Sequence, residues 1–306
     1  MAHSHSHTHG HNHHMHMPES LSTVFILCIV LNLLFVITEA GIGFVYNSLG
    51  LLSDAGHNLS DVFSLLLSLF AIRMAKRHGN HHFTYGYKKS TILVSLANAI
   101  ILLIAVGAIL IESIYKLRHP EEVSGEAISW TAGAGILING ATALLLMKNQ
   151  KHDLNVKGAF LHMAMDTLVS IGVVISGIII SLTGFVMIDT LISLVIALII
   201  LVSTWKLLRE SLYLSLDAVP SDVDMKEVEK ALSAVPEIEG WHHLHVWAVS
   251  TTENAATVHA VIKDSLGMEE AKHAVKQALR EKGICHVTVE CELESCKCQE
   301  KSCCGQ

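Results

Sequence analysis

Charge is scarce in this chain: Asp, Glu, Lys and Arg make up 16% of the 306 residues, against 51% hydrophobic ones. That balance is too apolar for an ordinary soluble enzyme of this length. Cysteine is almost missing from the part before Cys285, where only Cys28 occurs. The other six (Cys285, Cys291, Cys296, Cys298, Cys303 and Cys304) crowd the last 22 residues, unlike the spaced framework of a secreted disulfide domain. A reducing cytosolic location with thiolate metal binding fits that crowding, with an exposed solvated tail as the simpler alternative. Residues 1–20 have neither a basic stretch nor an apolar core, so no signal peptide is expected and insertion falls to the first spanning helix. No HExxH motif occurs, which removes the usual mark of a zinc hydrolase with an open coordination position and a general base.

What is abundant is long apolar sequence. Six runs, at about 21–46, 49–75, 90–112, 127–147, 154–182 and 187–208, each come near the roughly 20 residues that the hydrocarbon core of a bilayer requires. Basic residues flank them unevenly. Arg73, Lys76, Arg77, Lys88 and Lys89 lie between the second and third runs, Lys148, Lys151 and Lys157 between the fourth and fifth, and Lys206 and Arg209 after the sixth. The turns at 46–50 and 182–187 have none, and the third connection has only Lys116 and Arg118. Positive charge on the inner side then predicts that both termini are cytoplasmic.

Two of the runs contain ionisable residues at one repeated spacing, HxxxD: His57 with Asp61, and His162 with Asp166. An aspartate at the centre of a spanning helix costs about 2.5–3.5 kcal/mol on insertion scales, so such residues are functional candidates. Four residues is a little over one helical turn, which stacks each histidine over its aspartate on one face. Counted from Arg73 and Lys151, the two motifs lie 14 and 13 residues in, about 20 Å along each helix axis. They can therefore meet at one level, and two imidazoles with two carboxylates suit tetrahedral Zn²⁺. A polar helix crossing and a His–Asp proton relay are the metal-free alternatives. Asp54 shares the face of His57 and Asp61, as a relay, an alternative ligand or a hydrogen-bond partner. Asn32, Glu39, Asn98 and Asn139 read as hydrogen bonds within the bundle, and Gly41, Gly43, Gly172 and Gly177 as points of close helix approach.

The chain divides into a His-rich tail over residues 1–20, a six-helix part over 21–210, a small soluble domain over 211–294 and a Cys-rich tail over 295–306. His3, His5, His7, His9, His11, His13, His14 and His16 make the first tail a weak multivalent collector of metal, with an expression tag as the alternative. His78, His81 and His82 in the loop before the third run read as solvated, with a surface zinc site as the second reading. Residues 221–306 hold nine Lys/Arg and fifteen Asp/Glu, a net of −6. Helices near 222–235 and 268–283 alternate with strands near 241–250, 255–263 and 285–293, an α-β-β-α-β sandwich with one open sheet face. Simple alternation puts His243, His245 and Trp247 on one face of the first strand and His242 with Leu244 on the other. His259, His273, His286, Glu290 and Cys291 add to a pattern that points to metal sites.

Taken together, the Asp54-Ala55-Gly56-His57-Asn58-Leu59-Ser60-Asp61 stretch, Phe83-Thr84-Tyr85-Gly86-Tyr87 before the third run, His162 with Asp166 and the His243-Leu244-His245-Val246-Trp247 strand resemble the cation diffusion facilitator family, in its bacterial zinc/cadmium/cobalt efflux type. The resemblance covers essentially everything after residue 20. It implies a polytopic α-helical membrane protein with six transmembrane helices followed by a small α+β ferredoxin-like cytoplasmic domain. It implies a homodimer in the cell membrane whose transport site is His57, Asp61, His162 and Asp166, the zinc-preferring set. It also implies regulatory zinc in the cytoplasmic domain, where His242, His259 and His273 match family ligands, Glu290 replaces a histidine of some members and Glu292 stands where they have aspartate. The connection 148–157 is short, so the N-terminal tract takes the place of the His-rich loop of some relatives.

The expectation is a secondary transporter, not an enzyme, that exports Zn²⁺ from the cytosol in exchange for protons by alternating access. Its partners are the lipid bilayer, divalent ions and protons, with no nucleic acid. The alternatives are efflux of Cd²⁺, Co²⁺, Ni²⁺ or Fe²⁺, or a metal-gated channel or sensor.

Overall fold

The four prolines, Pro18, Pro120, Pro220 and Pro236, all fall outside the long apolar runs, so nothing interrupts the helical carbonyl ladders there. In the structure, a computed structural model that describes residues 19–45, 49–118, 125–183 and 187–293, each of the six runs is helical. The helices are α1 (Glu19–Val45), α2 (Leu49–Ala75), α3 (Ser90–Arg118), α4 (Gly125–Met147), α5 (Leu154–Thr183) and α6 (Met187–Ser215). Even the shortest, α4 with 23 residues, is about 34 Å long, enough to cross about 30 Å of hydrocarbon. Within the described residues, Ser22–Ile42 and Ser90–Ile111 are the stretches both long and apolar enough to qualify as spans on composition.

The bundle is apolar outside and polar inside. Leu34, Ile37, Phe63, Phe70, Ile104 and Val202 project from its surface, while Asn32, Glu39, Ser68, Ser95, Asn98 and Thr142 are buried. Water would drive the opposite distribution, so this arrangement belongs in lipid, where backbone and side-chain polar groups must pair internally. They do so across helices: Asn32 Nδ2 donates to Thr142 Oγ1 at 3.1 Å, Asn58 Nδ2 to Glu39 Oε2 at 2.8 Å and Asn98 Nδ2 to Ser68 Oγ at 2.8 Å, and the Ser95 and Ser211 hydroxyls lie 2.9 Å apart. Of the glycines expected at close approaches, Gly172 meets that expectation. A Cβ there would fall 2.7 Å from Ile196 Cδ1. Gly41 does not, since a Cβ would meet nothing within 4 Å; Gly43 and Gly177 lie outside the described side chains. Helices pair as α1 with α2, α3 with α6 and α4 with α5, and α5 also touches α2, α3 and α6. That makes α5 the shared inner helix.

The C-terminal unit follows the expected α-β-β-α-β order: α7 (Met225–Ser233), β1 (Gly240–Ala248), β2 (Asn254–Ile262), α8 (Met268–Glu281) and β3 (Ile284–Leu293). Asp224 caps α7 by accepting the Lys226 N–H, satisfying one of the orphan donors of its first turn. The sheet order is β1-β2-β3, with β1 antiparallel and β3 parallel to the central β2. Val228 and Leu232 of α7 and Val275 and Leu279 of α8 bury their faces against Val246, Val258 and Ala260. The opposite sheet face carries the histidines.

The tip of the β1–β2 hairpin docks on the end of the bundle. The Thr251 N–H donates to Thr91 Oγ1 at 3.1 Å and its hydroxyl to Asp153 Oδ1 at 3.2 Å, Lys88 pairs with Glu253, and Lys89 bridges Asp217 and the Ala248 carbonyl. Asp153 also caps α5, its Oδ1 accepting the Asn155 N–H at 2.7 Å, while Oδ2 is buried with no hydrogen-bond partner. Burial pushes the Asp153 carboxyl above its ordinary range, against the downward pull of its hydrogen bonds from Asn155, Thr251 and Val156. A carboxyl raised in the folded state favours folding when neutral. That contribution is complete below the ordinary value of about 3.9 and disappears as pH rises through the raised value. Asp153→Asn keeps the cap acceptor and removes the charge, so it should raise the apparent Tm at pH 7 by about 2–4 °C. The gain should shrink toward pH 4. Thermal melts in detergent between pH 4 and 8 check this, and a lower Tm at pH 7 would show the charge stabilising the α5 N-terminus instead.

Candidate metal centres

Because HxxxD occupies one helix face, the sequence presents a short polar patch on α2 and another on α5, and the packing of α2 on α5 brings them together. Asp61, His162 and Asp166 are 0%, 6% and 8% exposed. His162 Nε2 is hydrogen-bonded to Asp61 Oδ1 across the two helices, and Asp166 Oδ2 lies 3.9 Å from the same nitrogen. One ligand atom from each of the three can be chosen so that all lie within 4.8 Å of one another. Tetrahedral Zn²⁺ with bonds of about 2.0–2.2 Å separates its ligand atoms by about 3.4 Å, so small side-chain rotations suffice. Asp61 Oδ2 is buried without a hydrogen-bond partner, as suits an oxygen that takes an ion. Val62, Leu65, Ala159 and Met163 of the same two helices are buried in one apolar cluster, and charges buried in such a low-dielectric interior interact more strongly than in water. His57 occupies α2 one turn before Asp61; its side chain and that of Asp54 lie outside the described residues.

The second group forms on the open sheet face. The register sets His242 of β1 opposite His259 of β2 and His259 opposite Glu290 of β3, a single row across three strands. Glu292, two residues along, shares the Glu290 face. His259 Nδ1 is 2.6 Å from Glu292 Oε1, His259 Nε2 is 3.5 Å from Glu290 Oε2, and His242 Nε2 is 3.5 Å from Glu292 Oε2.

The structure departs here from simple alternation. A register shift between His242 and His245 inserts one extra residue, and His243 takes a left-handed φ of 50°. A bulge of this kind reverses the parity of what precedes it. His242 therefore shares the open face with His245 and Trp247, Leu244 joins the core, and His243 turns in beside its neighbours. His242, His243 and His259 then form a metal-sized group, as do His259, Glu290 and Glu292. His243 as a member of the cluster was missed from the sequence, because nothing in a His-His dipeptide announces a bulge. His273 sits on α8, exposed, and His286 is stacked edge-on to Tyr85 at 5.2 Å; neither joins these groups. His78, His81 and His82 are exposed and form no such group among the described residues. The N-terminal histidine tract and Cys296, Cys298, Cys303 and Cys304 lie outside the described residues.

Concavity points elsewhere. A cleft of about 640 Å³ lies between the α4–α5 turn and the hairpin tip, lined by His152, Asp153, Glu210, Asp222 and Thr251. The ligand chemistry, not the cleft, marks the candidate metal centres.

A lipid-facing helical bundle with imidazole and carboxylates buried at its middle, joined to a small α+β unit carrying a second histidine cluster, defines a metal-handling integral membrane protein. Residues 25–214 match the cation efflux transmembrane domain and residues 220–294 the cation efflux protein cytoplasmic domain; the chain belongs to the cation efflux family. It is 38% identical over 265 residues to the metal cation efflux system protein CzcD of Cupriavidus metallidurans, covering 86% of this chain and 84% of that one. It is 33% identical over 266 residues to a cadmium, cobalt and zinc/H(+)-K(+) antiporter of Bacillus subtilis, covering 85% and 86%. With the zinc transporter ZitB of Yersinia pestis the identity is 33% over 281 residues, covering 91% and 90%. These relatives are transporters, and metal efflux is the activity of the family.

Proposed function

We propose that the protein exports Zn²⁺ from the cytosol in exchange for protons, through a site made of His57, Asp61, His162 and Asp166. The observation that carries the reading is the His162–Asp61 hydrogen bond, buried between α2 and α5. One proton lies between that nitrogen and that oxygen, whichever group owns it. Where the pair holds that proton in addition to an N–H on Nδ1, as imidazolium with carboxylate or imidazole with carboxylic acid, an ion that coordinates both must expel it, since only neutral imidazole and ionised carboxylate ligate. The same lone pairs thus hold either metal or proton, which is the chemical basis of exchange. Protonation on the outer side reverses the competition and releases the ion.

In this reading all six long helices span the membrane, both termini are cytoplasmic, and the α+β unit is a ferredoxin-like domain through which two copies pair. Support for the orientation comes from Lys88 and Lys89: they lie at the basic end of the bundle and contact Glu253 and Asp217 of the C-terminal part. The open sheet face binds the same ion as a cytosolic sensing site. A second reading, in which the site also exports Cd²⁺ and Co²⁺, is favoured by the relatives named for those metals.

The test is zinc uptake into everted vesicles or proteoliposomes under an imposed pH gradient. Uptake should rise with an acid interior and collapse when an ionophore dissipates the gradient. Dissipative current independent of the gradient would indicate a channel, and metal binding without flux a sensor.

A further inference from the structure

We propose that His243 is a metal ligand of the sheet face, completing a three-imidazole set with His242 and His259, and that Glu292 orients His259 instead of binding the ion. The proposal rests on the reading that this face takes the transported ion, and it changes the ligands that the resemblance assigns: His243 enters, and His273 and Glu292 leave.

The backbone argues for His243 first. Left-handed φ is uncommon for any residue with a Cβ, although histidine is among those that tolerate it. Such a conformation persists only where the surroundings over-determine it, and an observed outlier is a fair starting point for a functional hypothesis. Here its consequence is specific. Adjacent strand residues point to opposite faces, so a regular β1 could never show both His242 and His243 to His259. The bulge does so: the ring centroids are 4.8 Å apart for His242 and His243, 4.9 Å for His243 and His259, and 5.1 Å for His242 and His259. One nitrogen from each comes within 4.8 Å of the others.

Nitrogen chemistry then sorts the carboxylates. A metal-bound neutral imidazole ligates through one nitrogen and donates its other N–H, usually to a carboxylate, which fixes ring and tautomer. His259 Nδ1 is already engaged with Glu292 Oε1 at 2.6 Å, leaving Nε2 for the ion. His242 Nε2 makes no hydrogen bond, although Glu292 Oε2 lies 3.5 Å away, so it too can turn to the ion. Three neutral nitrogens with a fourth position open suit Zn²⁺ and also Co²⁺, Ni²⁺ or Cu²⁺.

The experiment is a Co²⁺ titration of the purified full-length protein, followed by d–d absorption and equilibrium dialysis, against His243→Asn, His243→Gly and Glu292→Gln. Both residues placed at 243 accept left-handed φ, glycine without steric cost, so they keep the bulge and remove only the imidazole. The membrane site and both tails are common to all four proteins, and difference spectra isolate the sheet face. The two His243 variants should lose the absorption of one site and weaken it at least about tenfold, whereas Glu292→Gln should keep the band position with an affinity loss of about 10–100-fold. Unchanged binding in both His243 variants overturns the assignment of His243. A band shift in Glu292→Gln, the mark of a lost oxygen ligand, overturns the role given to Glu292. Zinc flux in the same preparations reports separately on the transport reading, which fails if flux is absent while cytosolic binding is intact.

Discussion

Zinc flux should fall about a hundredfold when Asp61 or Asp166 is replaced by alanine, with the protein still folded. Each carboxylate contributes a charged ligand to a site that is almost fully buried, and losing one partner of a buried, hydrogen-bonded charge pair in a binding site costs about 2–5 kcal/mol of affinity. At 1.36 kcal/mol per factor of ten, the middle of that range exceeds two decades. Asp61→Asn sharpens the test, because the amide keeps the volume and a hydrogen bond to His162 while losing the charge. Flux in everted vesicles measures the effect, and gel filtration and thermal melts show that the fold survives. Near-normal flux in Asp61→Ala or Asp166→Ala would sink the four-ligand assignment.

Changing the ion is expected from His57→Asp. Carboxylate in place of imidazole adds negative charge and a second oxygen, which relaxes a tight tetrahedral set toward one that tolerates a larger cation. The ratio of Cd²⁺ to Zn²⁺ flux should rise about tenfold, equivalent to about 1.4 kcal/mol of discrimination. Competition between the two ions in the same vesicles gives the ratio directly. If it does not move, His57 does not touch the transported ion.

Legibility differed between the two candidate metal groups for a physical reason. In the bundle, the HxxxD spacing and the run lengths located Asp61, His162 and Asp166, because helical periodicity makes four residues apart mean one face wherever the helix goes. In the sheet, period two is broken by a single inserted residue, so His242 was assigned to the face opposite His243 and His245, whereas it shares theirs. The error follows from how strands work: one extra residue moves every preceding side chain to the other side. Gly41 shows the same limit in a helix. Its sequence neighbourhood looks like a helix contact, yet among the described residues no atom lies within 4 Å of where its Cβ would stand.

The sequence by itself determined the six long apolar helices, the α-β-β-α-β order and the pairing of a histidine with an aspartate on each of two helices. Those are local properties: length, periodicity, and the absence of proline from the apolar runs. Tertiary structure alone decided that His162 reaches Asp61 across 101 intervening steps of chain, and that Thr251 meets Thr91 across 160. It also decided that the orphaned oxygen of Asp153 lies under the hairpin tip, and that His243 turns toward His259. Such contacts depend on which helices pack together, on strand register and on one φ angle, none of which is encoded in the residues adjacent to the side chains that meet.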